Sequence, residues 1–574
     1  MIAIRKREVF SERGFKAILL NRLAEIQPLE RFLYSSVIIA SVLMRFIELS
    51  SRPLPFADEV LAAADIRAQL RTGHHFSGAP VIFYDWMVTL FDGRLLSGVV
   101  LGTSLLDLRL ISATFGVLTM VALIWLGIEI GSVRVGVISA CMYGFMPWAV
   151  YFNRVFIPDS EYGFLSLVGF ILIVRALRNH HCRCLYVAVV PLVMAIYLYP
   201  PALITSPGIA LLVTFIYRKE ILAHHLKHVL GSGLLAVCLL GYFAFVHFFP
   251  PTASLTNADA TISSQGLWQH QLSVMAMIDR FVVDWASYLN PLFLLVHGDP
   301  TTPRQTIGVL GEVGYVIGCF GLLGIVSAIR GRSREQTLLV SALFLYPVVD
   351  ALTYWNANGS SVVGFLGCIV WSVLAANGIL FVIGYRPKSD ERRLEPEPAS
   401  RRNAVLSISF CLLALQMIFF SWYYLVRYPI VTASNFEIGL PQVIPILYSH
   451  DATRIPLILQ GAYQEGAMLD YYDNDEPKVL GSYLDCSVLP YDATHYVTAG
   501  TAIVIHESSA YEGTAGCVAG NQLITLDLKA LKMAGTRFVV WSVYANAPGS
   551  TYRTAVVFIE VPRERQHRAI NSSK

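Results

Sequence analysis

The chain has 574 residues, of which 55% are hydrophobic and only 14% are charged. Soluble domains carry roughly 25% charged residues, so this composition excludes an ordinary water-soluble fold. The formal net charge of +3 is small for so long a chain and gives no reason to expect nucleic-acid binding. The composition therefore predicts an α-helical membrane protein.

Apolar segments recur along the chain at close to the roughly 20 residues that a membrane-crossing helix needs. Eleven segments are predicted to span the bilayer: Phe32–Leu49, Leu110–Ile128, Val135–Phe152, Tyr162–Val174, Leu185–Tyr199, Ala202–Tyr217, Val229–Phe249, Ile307–Ala328, Thr337–Tyr354, Val362–Ile383 and Val405–Val426. The fourth, fifth and sixth are short and need tilting, extension into their flanks or burial in protein.

Lysine and arginine concentrate in every second connection between these segments. The basic stretch 1–31 lacks an apolar core followed by a small-residue cleavage site, so it is not interpreted as a signal peptide. Alternate connections then carry Arg134; Arg175, Arg178, Arg183; Arg218, Lys219, Lys227; Arg330, Arg332, Arg334; and a cluster within 386–402. By the positive-inside rule, we expect a cytoplasmic N-terminus and a C-terminal region outside the plasma membrane.

Two acidic sites follow hydrophobic segments on the predicted outer side, each just after a proline. Asp58-Glu59 opens a helical pattern that runs to Leu70 and is expected to lie along the membrane surface. Asp159 follows Arg154 and Pro158 and opens the fourth segment. Acids at a helix start can be simple caps. Because both sites fall on one side of the bilayer, the sequence also predicts that they face one lipid-level cavity.

The chain differs in composition on both sides of the last segment. Residues 386–403 are rich in Pro, Glu and Arg and are predicted to be a flexible linker, whereas 428–574 is predicted to be a small α/β domain. Its five strand-like runs begin at Ile455, Ala502, Gln522, Arg537 and Ala555, and Tyr463–Tyr472 is helix-like. An oxidising compartment would allow Cys486 and Cys517 to form a disulfide.

Several motifs in this order resemble the polytopic GT-C glycosyltransferases, in particular the 39/83-like families of protein O-mannosyltransferases and lipid A aminoarabinose transferases. The resemblance rests on five features: the acidic pair Asp58-Glu59, the motif Arg154 to Asp159, the start of the second segment at Arg109–Gly116, the loop Tyr288–Pro300, and Arg304. It covers residues up to about 304 and hardly touches the last domain. The resemblance implies a GT-C-like catalytic domain over residues 32–427, with outer loops 50–109 and 250–306.

A polyprenyl-phosphate-linked sugar donor is what the resemblance implies, with a glycan, lipid or protein as acceptor. Asp58 is the expected general base, with Glu59 beside it and Asp159 orienting the acceptor or holding Arg154. Arg154 and Arg304 are the expected ligands of the leaving phosphate. Further candidates for the donor cavity are Tyr199, His297 and Asp299. No cofactor is expected, and a divalent cation on the three acids is the alternative.

The resemblance implies that the transfer inverts the anomeric configuration of the sugar and takes place at the outer face of a bacterial plasma membrane. One departure is the segment Trp355–Ser361, which lacks the cation that relatives often carry there. A polytopic transporter and a noncatalytic envelope scaffold are the competing functions. The spans are nearly free of charge, which disfavours transport. Arg45 and Glu48 are the apparent exception and could pair locally.

Overall fold

The structure is a computed structural model that describes residues 26–55, 57–75, 80–130, 132–178, 181–248, 272–299, 305–331, 333–353, 359–384 and 399–432, together with seven strands beyond them. It divides into two compact units. Unit 1 comprises Met1–Leu49, Val81–Leu96 and Arg109–Tyr423, and unit 2 comprises Ser50–Pro80, Ser97–Leu108 and Tyr424–Lys574.

A described helix overlaps each of the eleven predicted spans. In chain order the described helices are α1 Pro28–Phe46, α2 Ala57–Thr72, α3 Phe83–Phe91, α4 Arg94–Val100, α5 Leu105–Glu129, α6 Val133–Gly144, α7 Pro147–Phe152, α8 Asp159–Arg178, α9 Arg183–Leu198, α10 Ala202–Ile216, α11 Leu226–Phe248, α12 Val274–Ser287, α13 Tyr315–Gly331, α14 Arg334–Leu345, α15 Val348–Ala351, α16 Gly367–Val382, α17 Ala399–Trp422 and α18 Tyr428–Val431. A three-residue helix, Arg218–Glu220, and short π-helical turns at Ile221–His225, Leu292–Val296 and Tyr423–Arg427 join or follow some of them.

Among the described residues, four helical segments are long and apolar enough to cross a membrane, which indicates a multi-pass membrane protein. They are Leu105–Glu129, Asp159–Arg178, Arg218–Val246 and Ser400–Val431. Five shorter apolar helices, α6, α9, α10, α13 and α16, accompany them. The number of eleven spans stays a prediction.

Two of the predicted spans are not continuous helices. The segment Val135–Phe152 is divided into α6 and α7, with Pro147 at the start of α7. The segment Thr337–Tyr354 is divided into α14 and α15, with Pro347 immediately before α15. Proline removes a helical hydrogen bond and clashes with the preceding turn, which accounts for a break at these two positions. Pro191 and Pro207, by contrast, lie inside the continuous helices α9 and α10. Hydropathy alone did not predict either break.

Ion pairs join several helices at one end of unit 1, which we call the basic end. Glu30 of α1 contacts both Arg134 and Arg402 at 3.3 Å. The other pairs are Arg175–Glu129 at 2.9 Å, Arg178–Glu335 at 3.2 Å and Arg334–Glu220 at 2.6 Å. The basic connections predicted to share one side therefore do share one end of the bundle. Arg402 also corrects the predicted linker boundary, because Ala399–Asn403 already belongs to α17.

Close packing inside unit 1 is clearest where α13 crosses α16. A side chain at Gly324 would collide with the backbone carbonyl of Leu374, and one at Gly378 would collide with that of Phe320. Small residues at such crossings allow helix backbones to touch, which is a principal source of helix association in membranes.

Unit 2 contains the strands β1 Leu457–Leu459, β2 Tyr483–Leu484, β3 Ala502–His506, β4 Thr514–Ala519, β5 Gln522–Asp527, β6 Arg537–Tyr544 and β7 Arg553–Glu560. Five form a mixed sheet in the order β2-β1-β3-β7-β6, and β4 pairs with β5. Each of the five strand-like runs overlaps one of these strands. The predicted helix Tyr463–Tyr472, Cys486 and the side chain of Cys517 lie outside the described residues, so the helix and the disulfide stay predictions.

Candidate active site

Two arginines from the sequence motifs hold the C-terminal end of α1. Arg109 donates to the Leu49 carbonyl at 3.0 Å. Arg154 donates to the carbonyls of Met44 and Ile47, the latter at 2.7 Å. The last carbonyls of a helix lack partners within the helix, and cations there also complement its dipole. Both side chains are fully buried. Their described bonds give them a structural task, and phosphate binding by Arg154 stays a prediction.

Asn153 binds a third buried arginine, Arg45. Its carbonyl oxygen accepts a bond from Arg45 at 3.0 Å, while its amide donates to the Tyr143 hydroxyl at 3.2 Å and to Ser160 Oγ at 2.8 Å. Arg45 also donates to the carbonyls of Ser41 and Gly144. The bonds of Arg45 thus run to Asn153 and the backbone rather than to Glu48, which is exposed.

Gly116, at the end of the motif Arg109–Gly116, lies against Asn153. A Cβ atom at Gly116 in α5 would collide with the side chain of Asn153. The absence of a side chain therefore lets α5 approach the Asn153 amide directly. The motifs Arg109–Gly116 and Asn153–Asp159, which are distant in sequence, meet at one end of unit 1, which we call the Asp159 end.

Asp159 begins α8 and is fully buried. Within the described part of the chain, neither of its carboxylate oxygens has a hydrogen-bond partner. The Tyr199 hydroxyl lies close enough to the carboxylate to interact with it electrostatically. Among the described residues, no hydrogen bond joins Arg154 to Asp159, and the expected role of Asp159 stays a prediction. A buried carboxylate without partners is costly to maintain, and such groups concentrate at functional sites.

The first turn of α8 carries further buried polar groups. Glu161 accepts a bond from Ser112 Oγ at 3.0 Å, and its second oxygen has no partner among the described residues. The Tyr162 hydroxyl lies 2.7 Å from Thr205 Oγ1, and its ring packs against Tyr199 with centroids 5.3 Å apart. Tyr199, expected in the donor cavity, is therefore adjacent to Asp159.

A second group of buried polar residues surrounds the Tyr288 hydroxyl. It lies 2.9 Å from Asp350 Oδ2 and 2.9 Å from the Ser360 carbonyl oxygen, and it accepts a bond from the Ser360 N–H at 3.0 Å. Burial, and then the nearby Asp350 carboxylate, raise the pKa of Tyr288 well above its usual value. The hydroxyl therefore stays protonated and acts as a donor to Asp350.

The loop that the sequence assigned to the donor cavity adds two more buried acids. The Asp299 carboxylate accepts bonds from the Ser361 N–H at 3.2 Å and from Ser361 Oγ at 3.4 Å. The Asp299 N–H donates to Glu312 Oε1 at 3.1 Å. His297 is exposed, and Arg304 lies outside the described residues. Asp299 thus fixes the segment at Ser360-Ser361, and its place in a donor cavity stays a prediction.

Glu312 and Asp350 were missed by the sequence reasoning. Both lie inside segments predicted to span the bilayer, where an isolated carboxylate is a signal of function. Glu312 is 3% exposed and Asp350 is fully buried. In the structure Glu312 precedes α13, and Asp350 lies in α15 beyond the Pro347 break. The statement that the spans are nearly free of charge is therefore too strong for these two segments.

In unit 2, the predicted helix after Asp58 is present as α2. Asp58 is exposed in its first turn, and Glu59 is fully buried. One side of the helix, including Val60, Ala63 and Ile66, is also fully buried. The position of Asp58 fits both a helix-terminal charge and an accessible base. Across the described residues, no group of three or more His, Cys, Asp or Glu side chains is arranged to hold a metal ion.

Solved structures similar to this chain include two kinds of protein. The Archaeoglobus fulgidus oligosaccharyltransferase, tethered to an acceptor peptide, has a TM-score of 0.46 at 14% identity over 84% of this chain and 70% of its own. ArnT from Cupriavidus metallidurans, at 12% identity over 91% of this chain and 97% of its own, has TM-scores of 0.49 without ligand and 0.44 with undecaprenyl phosphate.

No family model and no curated protein matches the sequence. The similar structures are GT-C glycosyltransferases, the superfamily that the sequence motifs resemble. Their TM-scores lie below 0.5, so this likeness does not by itself establish an activity for the chain.

Proposed function

We propose that this protein is an inverting membrane glycosyltransferase. It moves a sugar from a polyprenyl-phosphate donor to an acceptor hydroxyl on a glycan, a lipid or a protein at the outer face of the plasma membrane. The observation that carries the proposal is the Asp159 carboxylate, fully buried at the start of a candidate membrane span and without a described hydrogen-bond partner.

The chemistry of the transfer accounts for the residue types at the Asp159 end. An acceptor hydroxyl must be oriented and must lose a proton as it attacks the anomeric carbon, and a carboxylate can do either task. Asp159, with the Tyr199 hydroxyl beside it, is proposed to orient the acceptor. Asp58, the exposed acid of α2, is proposed as the base, with Glu59 anchoring its helix.

The departing phosphate gains negative charge, which arginine stabilises best. Arg304 is proposed as its main ligand, because the described bonds of Arg154 already hold α1. Arg154 then contributes positive charge from the end of that helix. A single displacement of this kind inverts the anomeric configuration.

The first experiment compares glycolipids and glycans of host cells with and without the protein by mass spectrometry. Loss of one sugar from one class of molecule is expected and would identify donor and acceptor together. Unchanged glycans under conditions where the protein is produced would contradict the proposal.

The second experiment tests the two acids separately, because they belong to different units. Asp58→Asn and Asp159→Asn are expected to lower transfer by about 10² or more, the usual contribution of a positioned acid or base. Asp107→Asn is the control for unit 2, since the Asp107 carboxylate accepts bonds from the Ser104 N–H and hydroxyl at the start of α5. Asp284→Asn is the control for unit 1, since that buried acid pairs with Arg280. Normal transfer in Asp58→Asn would remove it as the base.

A transporter is the second candidate, because Asp350 lies in a short helix next to a proline break, an arrangement that transporters use at binding sites. Its signature would be unchanged glycans together with a loss of solute flux in Asp350→Asn. Loss of a sugar without a change in flux would exclude it.

A further inference from the structure

An apolar cavity of about 150 Å³ lies within unit 1, between α5, α8, α10, α14 and α16. Its wall is almost entirely hydrocarbon, with Phe170, Leu212, Ala342 and Val373 as typical members. Apolar cavities of this size stay dry and accept apolar ligands. The cavity therefore favours a hydrocarbon chain over a sugar or an ion.

The length of the cavity matches one leaflet of a bilayer. Along α14 it runs from Glu335 to Leu345, which at 1.5 Å per residue is roughly 15 Å. The hydrocarbon core of a bilayer is about 30 Å thick, so the cavity extends through about half of it. Ile209 and Leu212 of α10 and Leu339 and Ala342 of α14 are only half-buried, so the cavity is open at the bundle surface.

Polar residues mark one mouth of this cavity. Glu335, Gln336 and Asn377 line the part that lies at the basic end. Glu335 pairs with Arg178, and the adjacent Arg334 pairs with Glu220 of the neighbouring connection. The three connections that these pairs join, 175–184, 217–228 and 329–335, contain nine Lys or Arg residues and two Glu residues. This excess of positive charge attracts anionic lipid headgroups.

We propose that the cavity binds an acyl chain of an anionic phospholipid from the leaflet at the basic end, with the headgroup at Arg178 and Arg334. The cavity is a lipid site separate from the Asp159 end, which lies at the other end of α8. A bound chain would fill the space between α10 and α14 and stabilise their packing. This inference does not depend on the proposed sugar transfer.

Lipid binding is tested on the full chain in mild detergent after removal of endogenous lipid. Phosphatidylglycerol, phosphatidylcholine with the same acyl chains, and undecaprenyl phosphate are added separately, and bound lipid is counted by native mass spectrometry. Retention of phosphatidylglycerol over phosphatidylcholine by about fivefold or more is expected from the arginine charges. Equal retention of the two phospholipids, or retention of undecaprenyl phosphate alone, would overturn the proposal.

Two variants that fill the cavity test its location. Leu212→Trp and Ala342→Phe are expected to lower phosphatidylglycerol retention by about tenfold, because the chain loses its apolar contacts. Leu211→Trp is the matched control, since Leu211 is 70% exposed on the same helix and does not line the cavity. If either filling variant fails to fold, the other decides. Unchanged retention in a folded filling variant would place the lipid elsewhere.

The headgroup contact is tested by Arg334→Gln, which should lower the preference for phosphatidylglycerol by about fivefold. Arg330→Gln removes the same charge from the same end, where Arg330 stacks on Phe381, and should have a smaller effect. Equal effects of the two variants would show that only the overall charge attracts the lipid and would overturn the assigned headgroup position.

Discussion

At the basic end of unit 1, charged side chains of neighbouring helices bind one another, whereas at the Asp159 end they bind backbone carbonyls, hydroxyls and amides. Glu30, Glu129 and Glu335 each have an arginine partner at the basic end. Asp159, Glu161 and Asp350 have none among the described residues, although three buried arginines belong to the same unit.

The difference favours the Asp159 end as the location of the proposed sugar transfer. At the basic end, each paired acid has an opposite charge that offsets part of the cost of removing it from water. Buried carboxylates without cations are expensive, because the protein removes them from water without an opposite charge in return. Such an arrangement persists where the free carboxylate has a task, as the proposed acceptor site requires.

The largest expected effect comes from breaking the Asn153 network. Asn153→Leu leaves the buried Arg45 guanidinium without its side-chain acceptor, and the free energy of unfolding should fall by about 2 to 3 kcal/mol. Denaturant titration in mild detergent measures it. Asn377→Leu is the control, because the Asn377 amide only donates to Val373 of its own helix. If both variants lose the same stability, Asn153 does not organise this end.

Gly116→Ala should have the next largest effect. Its methyl group would displace the Asn153 side chain, which is expected to lower the free energy of unfolding by about 1 to 3 kcal/mol. Gly233→Ala serves as the comparison, because a side chain there meets nothing within 4 Å. That variant should be neutral or stabilised by up to about 1 kcal/mol through helix propensity. A tolerated Gly116→Ala would show that α5 and Asn153 can separate without cost.

Asp159→Asn sharpens the comparison because its effects on activity and stability should have opposite signs. Transfer should be lost, while the midpoint of thermal unfolding should stay the same or rise, since a neutral amide is easier to bury than an unpaired carboxylate. Differential scanning fluorimetry in detergent measures the midpoint. A large fall in the midpoint would show that Asp159 stabilises the fold and would remove the main support for the acceptor site.

The smallest effect is expected at the basic end. The side chains of Arg178 and Glu335 are 34% and 33% exposed, so Arg178→Gln should cost less than about 1 kcal/mol. The exchange of both charges, Arg178→Glu with Glu335→Arg, should recover the original stability. An exchange that fails to recover it would mean that this end, too, depends on more than charge pairing.

Hydropathy and charge patterns were sufficient to predict a helix in each apolar segment and the shared end of the basic connections, but not the helices α3, α4 and α12 in the predicted outer loops. The breaks at Pro147 and Pro347 were not predicted, because each proline lies inside an apolar window that averages it away. Asp350 was overlooked for the same reason. The tasks of Arg109 and Arg154 could not be foreseen either, since their partners are backbone carbonyls, which carry no signal in the side-chain pattern.

The bonds from Arg154 to the end of α1 also set an order of assembly. The Ile47 carbonyl accepts its bond from a residue 107 positions later in the chain. At roughly 5 to 20 residues per second, synthesis takes on the order of 10 s to deliver that partner. Until then, the bonds that Arg154 donates to the end of α1 are missing, and they form only when the segment that leads into α8 has been made.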